Sequence, residues 1–323
     1  MNTTYAGLCR LHRQACAHGR ILVRRMQELP SARRLFAACS DLYELRVYAF
    51  FDFGERQVCD SCLPELEAMT NLRVLRLIHC SIRKAGMTIL KRPISAMKQL
   101  CVLDLSHNEL GIGGVEALLS LLPRLPKLES LILSGSLMST SRSKTDRVGV
   151  TLLAKLAGAC SSSTAKLTNL SLRRNDLGNL QRDLGHALGA AACLTSLDLS
   201  YITWNPYHSP IPFSEQLASA VGRVTSLRRL NLRNNRIAEC GLGVLCSHWR
   251  ALISLSNLNL SWSTEVSAEG CRMLVDFVLA MPALEVVNVE GTLRAGGAEA
   301  KYAADALKGR VVLEPAAGAI VIE

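Results

Sequence analysis

Leucine and its relatives return along this chain as a triplet, with two residues and then one residue between them. The triplets begin at Leu42, Leu72, Leu100, Leu128, Leu167, Leu194, Leu227, Leu255 and Leu284. Successive starts lie 30, 28, 28, 39, 27, 33, 28 and 29 residues apart. Six of the eight intervals fall within 27–30, so the chain is built from internal repeats. In the third copy, "LCVLDLSHNELGIGGVEALLSLL" (Leu100 to Leu122), Leu103 and Leu105 point to one side of a short strand and Asp104 and Ser106 to the other. Leu118 and Leu122 then recur at helical spacing, which predicts a helix starting near Gly114. One strand–turn–helix copy cannot cover its own leucines. Stacked copies can, and the pattern therefore predicts parallel strands backed by helices.

Asn108 falls where the chain must bend inward after the strand, and its amide can satisfy backbone groups that no strand partner reaches. Cys80 holds the same place in the second copy and can do this more weakly. Leu100, Leu103, Leu105, Asn108, Leu110, Gly114, Leu118 and Leu122 form one complete unit of the pattern. The seventh copy repeats it with Asn235, Ile237, Gly241 and Leu245, and the second with Cys80, Ile82, Gly86 and Leu90. This pattern resembles the leucine-rich repeat family, in its ribonuclease-inhibitor-like class, over roughly residues 42–292. The resemblance implies an α/β leucine-rich repeat solenoid (horseshoe) of about nine repeats, with a parallel β-sheet on the concave face and helices on the convex face. Ser136, Ile202, Ser263 and Thr292 depart from it in the asparagine position.

The domain organisation that follows has three parts: a basic helical N-terminal cap at 1–41, a leucine-rich repeat domain at 42–293, and a C-terminal cap at 294–323. The last is expected as a helix over about 296–308 followed by a short strand. The two long intervals mark insertions between strand and helix. One is polar, "LMSTSRSKTDRVG" (Leu137 to Gly149); the other, "ITWNPYHSPIPFSE" (Ile202 to Glu215), is rich in proline and aromatics. Insertions at equivalent points emerge on one edge of a solenoid.

Charge changes the picture at the N-terminus. The net charge is +10, and residues 1–40 contribute seven arginines against the single acid Glu28. Such an arginine-rich start reads either as the capping helix or as a mitochondrial targeting segment. The twelve cysteines are spread over 323 residues at small or apolar repeat positions, which suits reduced, intracellular thiols better than a disulfide framework. No apolar run is long enough for a membrane helix, and the N-terminus lacks a secretory apolar core. The expected location is therefore intracellular, cytoplasmic or cytoskeletal and ciliary, with the mitochondrion as the alternative.

Candidate chemistry is sparse. No phosphate loop, nucleophile elbow or zinc-protease motif occurs. Cys59 and Cys62 make a CxxC without a second ligand pair, so a packing role is expected rather than zinc. His79 and His107 share one repeat position at the strand ends but have no catalytic companions. No catalytic residue, metal, cofactor, small-molecule substrate or membrane contact is expected. The outward strand positions carry more information. Copies five to eight place Arg173, Arg174, Tyr201, Arg229, Asn231, Arg233, Asn259 and Trp262 there, a set rich in the residue types that dominate binding hot spots. Trp204, Tyr207 and Phe213 of the second insertion form a candidate edge contact, although Trp204 and Phe213 can equally pack on their own repeats.

The leucine-rich repeat family includes an inhibitor of ribonucleases, a GTPase activator, innate-immune sensors and cytoskeletal or ciliary scaffold subunits, so the resemblance alone does not select a role. The expected function is a non-enzymatic protein-interaction scaffold in a larger assembly such as a ciliary or cytoskeletal complex. Its basic charge suits a protein partner with an acidic surface. An RNA-associated subunit, for example of a mitochondrial ribosome, is the alternative, followed by a regulator of a GTPase or ubiquitin ligase.

Overall fold

The computed structural model describes residues 20–23, 42–48, 66–67, 69–137, 167–175, scattered positions from 177 to 191, 193–203, 213–237, 239–263, 267–292, 298–307 and 312–313. Eleven short strands run through them. β1 (Arg20–Val23), β2 (Glu44–Tyr48), β3 (Val74–Ile78), β4 (Val102–Asp104) and β5 (Ser130–Ile132) lie in one compact unit. β6 (Asn169–Ser171), β7 (Ser196–Asp198), β8 (Arg229–Asn231), β9 (Asn257–Asn259), β10 (Val286–Asn288) and β11 (Val312–Leu313) lie in a second.

Within each unit every strand pairs in parallel with the next in chain order. The register matches the leucine triplets: Leu75 faces Leu103, which faces Leu131, and Leu197 faces Leu230, which faces Leu258. Two of these strands, β1 and β11, lie beyond the nine expected copies. β1 pairs with β2 through Arg20↔Glu44 to Val23↔Val47, so Arg20–Val23 are strand and not part of the expected N-terminal helix. The remainder of 1–41 lies outside the described residues. At the other end β11 extends the second sheet after α6 (Ala298–Ala306), matching the helix-then-strand order read for 294–323.

The leucine side of each sheet is covered by helices. In the first unit these are α1 (Lys84–Ala96) and α2 (Gly111–Leu119); in the second, α3 (Glu215–Gly222), α4 (Glu239–His248), α5 (Ala268–Ala280) and α6. Leu75, Leu77, Leu103, Leu105, Leu230 and Leu232 are 0% exposed. Burying each stabilises the fold by about 1.5–3 kcal/mol, and neighbouring copies supply most of that cover. α2 starts at Gly111, earlier than expected, because Gly111 takes a left-handed φ of 53° and turns the chain straight into the helix. Leu118 lies in that helix and Leu122 in the 3₁₀ turn after it; both are buried.

The asparagine position closes each turn. Asn108 Nδ2 donates to the carbonyls of Leu77 and Leu105 at 2.7 and 2.8 Å, while its Oδ1 accepts from the amides of Cys80 and Ile82, both at 3.0 Å. Asn235 repeats this with Leu199, Leu232 and Ile202. Three of the four departures from asparagine preserve the inter-copy bond. The Ser136, Ser263 and Thr292 hydroxyls each donate to the carbonyl of the last triplet leucine of the preceding copy, Leu105, Leu232 and Leu260. Ile202 cannot donate and is simply buried, while Asn235 takes its backbone amide.

Candidate interaction face

Each copy places four side chains on or near the open face of the sheet, the face opposite the leucines. From β4 to β10 the last strand residue forms the floor, a rim residue follows two positions on, a bend residue comes next, and the asparagine position then turns inward. The bend residue carries the backbone reversal. His79, His107, Arg174, Tyr201, Asn234 and Trp262 all have φ between 53° and 61°, and Gly135 and Gly291 hold the same place at 61° and 67°. The turn thereby aims the asparagine position inward while the bend amide still donates to the rim carbonyl of the next copy. Examples are Tyr201 to Arg233 at 2.9 Å and Trp262 to Glu290 at 2.6 Å.

The floor column in the second unit reads Asp198, Asn231, Asn259 and Asn288 on β7 to β10. All four are at most 5% exposed. Each side-chain oxygen accepts the rim amide of its own copy, at 2.9–3.1 Å: Ser200, Arg233, Ser261 and Glu290. This corrects the sequence reading of Asn231 and Asn259 as partner contacts. Strands sit only about 4.8 Å apart, so the longer rim and bend side chains of adjacent copies roof over the floor, and these amides shape the sheet end instead. Burial pushes the Asp198 carboxyl above the ordinary 3.8, although the Ser200 hydroxyl and amide and the Arg173 charge pull the other way.

Above that floor lies an interleaved set of arginines and aromatic rings. The Arg173 and Arg174 guanidinium carbons sit 5.6 and 5.4 Å from the Tyr201 ring centre. Arg233 Nε donates to the Tyr201 hydroxyl at 3.4 Å, and its guanidinium stands 6.0 Å from the Trp262 ring. Burial alone would raise the Tyr201 hydroxyl pKa, but the Arg233 hydrogen bond and charge outweigh it and the net direction is down. Arg233 also donates to Ser261 Oγ at 3.2 Å and lies 3.8 Å from Glu290. Trp262 is 49% exposed yet firmly seated, because a Cβ on Gly291 would come within 2.7 Å of its ring. Gly291 was not singled out from sequence. Its signal was a glycine in the bend position one copy after a tryptophan in the same position.

Of the remaining expected contacts, Arg174 and Arg229 are exposed, and Arg173, Tyr201 and Arg233 are half-buried. Phe213 is buried, with its amide donating to the Arg236 carbonyl at 3.0 Å, so it packs against its own repeats and is removed from the proposed edge. Trp204 and Tyr207 lie outside the described residues, as do Cys59 and Cys62. Among the described residues no group of three or more His, Cys, Asp or Glu side chains is placed to hold a metal ion. No described helix is long and apolar enough to cross a membrane.

The open face of the first unit is different in kind. Glu44 takes Arg20 at 3.0 Å and Arg46 at 2.6 Å, and Arg76 faces Asp104 at 3.6 Å. His79 and His107 stack with ring centres 4.3 Å apart and planes within 3°. Acids there answer the arginines. In the second unit, among the described residues, four arginines meet only buried Asp198 and half-buried Glu290, and this face stays positive.

A parallel sheet of leucine-triplet strands, each closed by an asparagine-type turn and backed by a helix, defines a leucine-rich repeat protein. Residues 100–119 match the Leucine Rich repeat family, and they fall in the third copy. The ribonuclease inhibitor of Sus scrofa is 28% identical over 269 residues, 82% of this chain and 54% of that protein. The Tonsoku-like protein of Danio rerio is 30% identical over 263 residues, 78% of this chain and 17% of that one. Among solved structures, the leucine-rich repeat-containing protein LegL7 of Legionella pneumophila aligns with a TM-score of 0.43 and 20% identity, covering 64% of this chain and 62% of that one. The fold is thus that of a leucine-rich repeat protein, and the chain is similar to the ribonuclease-inhibitor-like class of that family. It spans about half the length of the ribonuclease inhibitor and under a fifth of the Tonsoku-like protein.

Proposed function

We propose that the chain is a non-enzymatic protein-interaction scaffold, a subunit of a larger assembly, and that the open face of its second unit holds an acidic protein surface. Leucine-rich repeat proteins generally serve as protein-interaction scaffolds, and the ribonuclease inhibitor, by its name, acts on another protein. The observation that carries the reading is the excess positive charge of Arg173, Arg174, Arg229 and Arg233 around Tyr201 and Trp262. Charge of one sign steers an oppositely charged partner and sets its orientation. Guanidinium groups also pair carboxylates in a two-pronged geometry that lysine cannot match. Acidic cytoskeletal lattices, including those of cilia, are partners of this kind.

The test is affinity capture with the wild-type chain and with Arg173→Glu/Arg174→Glu/Arg233→Glu, followed by mass spectrometry of what is retained. The proposal expects acidic proteins on the wild type that are lost from the charge-reversed chain. Identical captured sets would overturn it. Captured material that disappears on ribonuclease treatment would instead establish the RNA-associated reading.

A further inference from the structure

Resting on that reading, we infer the kind of segment this face takes: an extended acidic stretch of the form acid-x-x-acid-x-apolar, lying across the strands from β6 towards β9. Four successive copies supply the contacts in order. Arg173 and Arg174 follow β6, Tyr201 follows β7, Arg233 follows β8, and Trp262 follows β9. Strand spacing of about 4.8 Å puts Arg173 and Arg233 about 10 Å apart, and a chain extended as polyproline II rises about 3.1 Å per residue with three residues per turn, so positions three apart share one side. Two carboxylates three residues apart therefore span the two arginines. Trp262, one strand further, meets an apolar side chain one or two residues beyond the second acid.

The side chains are held ready for this. Tyr201 is flanked by Arg173 and Arg174 on one side and bonded to Arg233 on the other. Trp262 sits between Arg233 and the bare backbone of Gly291, half its surface still in water. Side chains already ordered by their neighbours lose little freedom on binding, so more of the contact free energy appears as affinity. Among the described residues Arg233 has only the long 3.8 Å contact to Glu290 as an ion pair, so a partner carboxylate meets little competition there. The bend position itself argues for use. A bulky residue in the left-handed region costs about 1–2 kcal/mol, and Tyr201 and Trp262 stand there although Gly135 and Gly291 show that glycine fits the same turn.

Fluorescence anisotropy with a labelled peptide Gly-Glu-Ala-Ala-Glu-Ala-Leu-Gly tests this, against a control peptide with the two glutamates adjacent. The spaced peptide is expected to bind about tenfold more tightly than the control, and about tenfold more weakly to Trp262→Asn. Asparagine already occupies the same bend at position 234, with φ 53°, so the variant is compatible with the fold. Arg233→Gln, at a half-buried rim position, provides a second variant with the same expected loss. Equal affinity for both peptides, or no loss in either variant, overturns the inference. So does displacement of the peptide by a uridine-rich single-stranded RNA. If the peptide fails while the charge-reversed chain still loses its acidic partners, the segment is wrong and the scaffold reading stands. If both fail, neither survives.

Discussion

The bend residues show what a single position can be asked to do. Each must adopt a positive φ, donate its amide to the next copy, and still present a side chain to the open face. His79 and His107 meet that demand by stacking on one another, whereas Tyr201 and Trp262 meet it by pairing with arginines. The floor residue behind them carries its own tension. Asp198 is buried and its pKa is raised above 3.8, so the folded state holds its proton more tightly than the unfolded chain does. Its contribution to stability is fully present below that ordinary value and is lost as pH rises through the folded pKa. Asn231, Asn259 and Asn288 make the corresponding bond to the rim amide without a charge. Asp198→Asn is therefore expected to melt above wild type at pH 7, with the gap closing as pH falls towards 3.8. Thermal melts at several pH values check this, and a gap that widened in acid would contradict the assignment.

At the scale of the element, the strand–turn–helix copy was largely legible because its two hydrophobic periods are strong and repeated. The asparagine's role followed from the need to satisfy bent backbone. Removing it has a calculable consequence. Asn108→Ala leaves the Leu77 carbonyl and the Cys80 and Ile82 amides short of a buried partner, each costing about 1–3 kcal/mol if unanswered, while the Leu105 carbonyl keeps the Ser136 hydroxyl. Denaturant unfolding should show a loss of several kcal/mol, and Asn108→Ser should recover part of it because Ser136 keeps the inter-copy bond. What the pattern could not reveal was depth on the outward side. Alternation assigns Asn231 and Asn259 to the same face as Arg233 and Ser261, but only the reach of neighbouring copies decides which side chains are roofed and which do the roofing. Phe213 was ambiguous for a similar reason, since an aromatic in an insertion says nothing of which way it turns.

Over the whole molecule, two compact units share one repeat but not one surface. The first unit neutralises the charges of its open face internally, through Glu44 and Asp104. The second leaves arginines and a seated tryptophan facing outward. We propose a division of labour in which one unit is closed on itself and the other is prepared for a partner. Hydroxyl-radical footprinting of the chain, free and bound to an acidic partner recovered by affinity capture, tests it most directly. Trp262 is 49% exposed on the open face and Tyr302 45% exposed on α6, so the two rings start nearly equal and report on different elements of one unit. Binding is expected to slow oxidation of Trp262 severalfold and to leave Tyr302 unchanged. Protection of Tyr302 with Trp262 still reactive would contradict it.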